Sequence, residues 1–184
     1  MRLEQLTLRE LRMKLIAPFE TSMETTTNRR VLLTEAVVDG VTGWGECVAG
    51  ESPSYSPETT DTAWHILQDH LWRLLKGKRF ESASQVRDLL ACVRGHNMAK
   101  AAVESAIWDA EARGKKIPLS HLLGGTRQEI ASGVSVGIKA SLDELVQTVK
   151  VELKLATSAS KSKLSQVTIS NPFVAFARSF PPSN

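Results

Sequence analysis

The chain has few cysteines, few aromatic residues and no long apolar run, and each shortage narrows what it can be. Its 184 residues include two cysteines, Cys47 and Cys92. That is too few for a disulfide scaffold, and their separation has no metal-ligand spacing. Both read as reduced, partly buried thiols. No stretch of about 18 apolar residues occurs, so nothing has the length of a membrane-spanning helix. The start, MRLEQLTLRELRMKL, interleaves charges with apolar residues and lacks the apolar core of a signal peptide, which makes a cytoplasmic location the default expectation. Aromatic residues make up 5% of the chain, and no basic stripe with interleaved aromatics occurs in its body. Nucleic acid is therefore excluded as the main partner.

Acidic residues are missing from one region only. Between Lys154 and Asn184 there are four basic residues (Lys154, Lys161, Lys163 and Arg178) and no acidic one. Setting those four apart from the 23 Lys and Arg leaves 19 basic against 20 acidic residues. The net charge of +3 is thus a property of the C-terminal stretch. Hydrophobic content of 42% and charged content of 23% are ordinary for a globular protein.

Residues 2–16 alternate apolar and charged side chains and predict a strand. Pro18 removes a backbone donor, so residues 17–22 are expected to be a loop. Arg30 to Val38 reads as a second strand, Asp39-Gly40 as a tight turn and Val41 to Glu46 as a third strand, which together make an antiparallel meander. A loop from Ala49 to Ser56 follows. Ser56 is the expected N-cap of a helix with Pro57 in its first position, running to Gly77. A shorter helix is expected over 84–93 and the strongest one over 97–112, where alanines allow close approach of another element. Residues 118–123 read as a helical turn closed by Gly124-Gly125. Glu129 to Ile138 then reads as a buried strand, and Ser141 opens a helix to about Leu153. That strand followed directly by a helix looks like the first unit of an α/β barrel.

Five runs carry a family resemblance: PFETS at 18–22, GWGECVA at 43–49, YSPETTDTAWHIL at 55–67, NMAKAAVESAIWDAEARGKKIPLSHLLGGTR at 97–127 and GVSVGI at 133–138. Together they resemble the muconate-lactonizing subgroup of the enolase superfamily, and within it N-acylamino-acid racemase and o-succinylbenzoate synthase. The resemblance covers residues 1–153. It implies an α+β fold: a capping domain at 1–125, with a three-stranded meander and helices, then the first strand and helix of an incomplete barrel at 126–153. It also implies a small-molecule carboxylate substrate, frequent homo-oligomers and Mg²⁺ held by acidic residues at the ends of the third to fifth barrel strands. Lysines at the ends of the second and sixth strands remove and return the α-proton, in racemisation or in a dehydration of menaquinone biosynthesis. An enediolate forming from so weak an acid needs a metal and cationic groups around it.

Only part of that machinery maps onto this chain. Phe19, Glu20 and Thr21 match the first substrate-shaping loop of the capping domain, Tyr55 the second, and Ser135 the end of the first barrel strand. Phe19 serves equally well as a packing residue, and Ser135 as a small residue that lets strands approach. Trp108 and Met98 read as core. His65, His70, His96 and His121 read as surface or capping histidines, and Glu46 and Glu104 as stabilisers of the capping fold. No catalytic residue and no Mg²⁺ ligand is identifiable.

The family continues with a strand ending in Lys-x-Lys. Here residues 154–184 hold seven serines and no strand–helix period, so they are expected to be an aberrant, disordered tail. Lys161-Ser162-Lys163 is rejected as the motif because its flanks lack apolar alternation. Codons can be chosen for Leu155 to Val167 whose displaced reading restores the missing strand, which suggests a shifted frame. The expected function is that of an inactive fragment of a proton-abstracting enzyme. The alternative is a non-catalytic module that pairs with a full-length homologue.

Overall fold

In the computed structural model residues 1–21, 24–128, 132–158 and 164–169 are described. They form two compact units: Met1–Lys14 with Asn28–Thr126, and Leu15–Thr27 with the chain from Arg127 onward.

Period-two alternation builds the sheet of the first unit. In β2 (Thr25–Val38), buried Leu32, Thr34, Ala36 and Val38 alternate with half-buried Val31, Leu33, Glu35 and Val37. In β3 (Val41–Cys47), Gly43, Gly45 and Cys47 are buried while Trp44 and Glu46 are exposed. Asp39 and Gly40 both take positive φ, 47° and 76°, which joins two twisted strands by a tight turn. The pair is antiparallel, from Val38 opposite Val41 to Leu32 opposite Cys47. With β1 (Leu3–Glu20) the order is β1-β2-β3.

The buried face receives α4 (Asn97–Lys115) at very short range. A Cβ placed on Gly43 would lie 2.1 Å from the Ala106 carbonyl oxygen, and one on Gly45 2.0 Å from that of Ala102. No side chain fits there, so glycines opposite alanines set the approach of helix to strand. The Thr34 hydroxyl, fully buried, lies 2.8 Å from the Ala102 carbonyl and donates to it. Around this seam α1 (Thr60–Ile66), a π turn (Leu67–Leu71), α2 (Trp72–Leu75), a 3-10 turn (Ala83–Gln85) and α3 (Val86–Leu89) bury Leu67, Leu71, Leu75, Val86 and Leu90. A short α5 (Leu119–Leu122) follows α4. Met98 and Trp108 pack against the core while only partly buried.

Two buried carboxylates tie helix ends together. Glu58 accepts the backbone N–H of Met98 at 3.0 Å and of Ala99 at 3.1 Å, capping α4 from a distant loop. Glu111 accepts from Ala83 N at 2.7 Å and from Lys115 Nζ at 2.6 Å. Of the two glutamates expected to stabilise the capping fold, Glu46 is exposed and Glu104 half-buried.

The second unit is a β-α-β arrangement. β4 (Ser132–Val136) and β5 (Leu164–Ile169) pair in parallel, with α6 (Leu142–Ser158) between them in sequence. Ser141 Oγ accepts the Glu144 N–H at 3.2 Å while Glu144 Oε2 accepts that of Ala140 at 3.3 Å, a near relative of the capping box.

Several expectations are corrected. The chain stays extended through Pro18 to Glu20 rather than looping from Ala17, because β1 is an edge strand where a missing N–H need not break a ladder; Ser22 lies outside the described residues. The first helix is capped by Thr59, reciprocally with Thr62. Ser56 Oγ instead accepts from Glu58 N at 3.2 Å. The helix expected over 84–93 shrinks to a 3-10 turn and one α turn. α6 extends to Ser158, and residues 164–169 form a strand where none was expected. Lys161-Ser162-Lys163, the start of the Glu129–Ile138 strand and residues 170–184 lie outside the described residues.

Candidate functional site

Three of the five residues singled out from the sequence come together in the second unit. A cavity of about 220 Å³ is lined by Ala17–Glu20, by Val134–Lys139 and by Thr148 and Glu152 of α6. Phe19, Glu20 and Ser135 are on that lining; Thr21 and Tyr55 are not. The Thr21 hydroxyl is exchanged with the backbone of Glu24: it donates to Glu24 O at 3.2 Å and accepts from Glu24 N at 3.2 Å. Tyr55 belongs to the first unit and is 93% exposed.

Backbone geometry holds the lining together. Ile138 N donates to Glu20 O at 3.2 Å. A Cβ on Gly137 would lie 3.1 Å from Glu20 O and 3.5 Å from the Phe19 ring, so the ring rests over a residue that presents no side chain. Phe19 is 39% exposed, a ring seated on one side and open on the other. Sequence reasoning missed Lys139, Thr148 and Glu152. Their signals were weak: Lys139 follows a strand end, and Thr148 and Glu152 are four apart on one helix face. The Thr148 hydroxyl donates to Glu144 O at 2.9 Å. The lining therefore offers an apolar ring, one small hydroxyl at Ser135 and charges of both signs. Complete small-molecule sites measure about 300–1,000 Å³, and this cavity is smaller than that range.

No group of three or more His, Cys, Asp or Glu among the described residues could hold a metal ion. The described residues therefore do not fit the Mg²⁺ that the resemblance implies. A second groove, of about 340 Å³, is lined in the first unit by Asp69, His70, Arg73, Leu74, Cys92 and Val93. Its carboxylate is engaged: Asp69 Oδ2 is 2.8 Å from His65 Nδ1. Burial pushes the Cys47 thiol up, with help from the charges of Glu58 and Glu46, which makes it a poor nucleophile. Among the described residues no helix is long and apolar enough to cross a membrane.

Comparison with known proteins agrees with this architecture. Residues 4–124 match the family described as mandelate racemase / muconate lactonizing enzyme, N-terminal domain. The chain is 44% identical over 149 residues to o-succinylbenzoate synthase of Geobacillus kaustophilus, covering 80% of this chain and 40% of that protein. It is 41% identical over 149 residues to N-succinylamino acid racemase of an Amycolatopsis species, covering 81% of this chain and 40% of that protein. A crystal structure of an enolase-superfamily member from Listeria innocua superposes with a TM-score of 0.82 at 29% identity, over 91% of this chain and 44% of that one. The chain thus spans about 40% of the length of these curated relatives. The family match over residues 4–124, with relatives sharing more than 40% of residues along four fifths of this chain, makes the chain a member of the mandelate racemase / muconate lactonizing enzyme family of the enolase superfamily, represented by its N-terminal capping domain.

Proposed function

We propose that the chain forms the capping side of an enzyme acting at the α-proton of a small carboxylate, as in o-succinylbenzoate synthesis or N-acylamino-acid racemisation. One observation carries this reading: the end of the β1–β2 hairpin and the end of β4 share a cavity, with Phe19, Glu20 and Ser135 on its lining. A half-exposed ring suits an acyl or side-chain group, and a serine hydroxyl can donate to a carboxylate or carbonyl oxygen. In the intact family Mg²⁺ supplies the charge that stabilises the enediolate. The described residues offer no cluster for it, so they are assigned substrate shaping and no proton transfer. The chain by itself is expected to show no turnover.

The test grafts residues 1–158 into the Geobacillus kaustophilus synthase in place of its matching segment. In an active chimera, Phe19→Ala is expected to raise KM about tenfold with kcat little changed, as loss of an apolar substrate contact does. An unchanged KM would remove Phe19 from the site. Turnover by the purified 184-residue chain with Mg²⁺ would overturn its inactivity. A stoichiometric complex with an intact relative would favour the interaction-module reading.

A further inference from the structure

The cavity of the second unit is seated on a glycine. Gly137 directly follows β4, one residue beyond Val136. Val136 is buried and stands opposite Ile169 in the parallel pair, so the strand end fixes where Gly137 lies. Gly137 and Ser135 are two apart, and both line the cavity with Phe19 and Glu20. A positive φ, the commonest reason for a glycine, does not apply, because Gly137 is not among the residues in that region. Close approach of another segment is the reason that remains.

That segment is the end of β1. Ile138 N donates to Glu20 O at 3.2 Å. A Cβ on Gly137 would meet the same oxygen at 3.1 Å and the Phe19 atoms Cδ2 and Cε2 at 3.5 Å. The two distances have different consequences. At 3.5 Å a methyl group only touches the ring, so any atom beyond Cβ has to push the ring away. At 3.1 Å the oxygen must retreat by a few tenths of an ångström.

Glu20 has little freedom to retreat. Just beyond it Thr21 N donates to Glu24 O at 2.9 Å, and the Thr21 hydroxyl donates to Glu24 O and accepts from Glu24 N, both at 3.2 Å. Residues 19 and 20 are thus held between the end of β4 and the Thr21–Glu24 closure. A side chain larger than a methyl group at position 137 is accommodated by displacing the Phe19 ring.

We propose that Gly137 is a positioning residue for substrate binding: by presenting no side chain it seats the Phe19 ring on the end of β4 and keeps the Glu20 carbonyl bonded to Ile138. It touches no reacting atom and acts through Phe19. This rests on the reading of Phe19 as a substrate contact, and the two fail in different ways.

Two measurements separate them. In the full 184-residue chain, Gly137→Val is expected to speed amide exchange at Ile138 by at least about tenfold, since the clash falls on the oxygen to which that N–H bonds. In the active chimera, Gly137→Val should raise KM about tenfold with kcat within about twofold, and Gly137→Ala should raise KM only about twofold. The double variant Phe19→Ala/Gly137→Val should be no worse than Phe19→Ala, because without the ring there is nothing left to displace. Circular dichroism confirms folding; should Gly137→Val fail that control, Gly137→Ala carries both readings at smaller amplitude. If Phe19→Ala leaves KM unchanged, the substrate reading of Phe19 fails, and the part of Gly137 in binding fails with it. If Phe19→Ala raises KM, that reading stands. The role of Gly137 is then overturned by unchanged exchange at Ile138, by an unchanged KM in Gly137→Val, or by effects of the two substitutions that multiply in the double variant.

Discussion

The first unit buries Leu67, Leu71, Leu75, Val86, Leu90, Val103 and Ile107 in one continuous core. In the second unit the buried apolar residues among those described are Val136 and Leu145, while Leu142, Val146, Val151 and Leu153 of α6 stay exposed. Both stretches have well-formed helices with proper caps, so local sequence quality does not separate them. What differs is the number of layers available. The meander has helices to cover it, whereas a two-stranded parallel sheet with one helix leaves most of its apolar surface without a partner. Relatives of more than twice this length have additional chain with which to cover such a surface. Secondary structure can therefore be complete where tertiary burial is not.

All four tryptophans, Trp44, Trp64, Trp72 and Trp108, lie in the first unit, so tryptophan fluorescence follows that unit alone and gives the comparison a clean probe. The largest expected effect is at the glycine seam. Gly45→Val would drive a side chain into the Ala102 carbonyl and the Ala106 nitrogen, both backbone atoms of α4. Overpacking usually costs about 1–3 kcal/mol, and against rigid backbone this variant is expected at or beyond the upper end. Urea unfolding followed by fluorescence reads it, and a loss under about 1 kcal/mol would mean that the seam is looser than described.

A matched pair of deletions asks whether the two units differ in cooperativity. Ile107→Ala should lower stability by about 2–5 kcal/mol on the fluorescence transition. Leu145→Ala should leave that transition in place and instead speed amide exchange along α6. If Leu145→Ala moved the fluorescence midpoint as far as Ile107→Ala does, the units would unfold as one and the contrast would fail.

The smallest effect is electrostatic. Arg30 holds Glu10 at 2.7 Å and Asp61 at 2.8 Å, and its guanidinium keeps both carboxyls below their usual range. A carboxyl with a depressed folded-state pKa stabilises the fold above its unfolded value, near pH 4, and that contribution is lost as pH falls further. Arg30→Met should therefore lower the urea midpoint slightly at pH 6, with the difference shrinking below about pH 4 and with added salt. A difference that does not change with pH would mean that Arg30 acts through packing of its stem.

Much of this molecule was legible in the residues. The Asp39-Gly40 turn, the alternation flanking it, and the alanine-rich helix from Asn97 announced the meander and its cover, since turn chemistry and periodicity are local properties. Phe19, Glu20 and Ser135 were reached through a resemblance, and they line one cavity. Their neighbours Lys139 and Glu152 had no signal strong enough to stand out from ordinary charged surface. β5 was missed because a six-residue run following serines and lysines has little pattern of its own; pairing with β4 is what makes it a strand.

The sequence by itself determined the turn and alternation of the β2–β3 pair, the long helix α4 and how close α4 can come to β3, because those depend on glycine, alanine and alternation within a few residues. Only the tertiary structure decided which polar groups matter. Thr59 rather than Ser56 caps α1, Glu58 reaches across some forty residues to cap α4, and Pro18 continues a strand because that strand is an edge. Each of these is settled by which unsatisfied backbone group lies within hydrogen-bond reach, a quantity that exists only once distant segments have met.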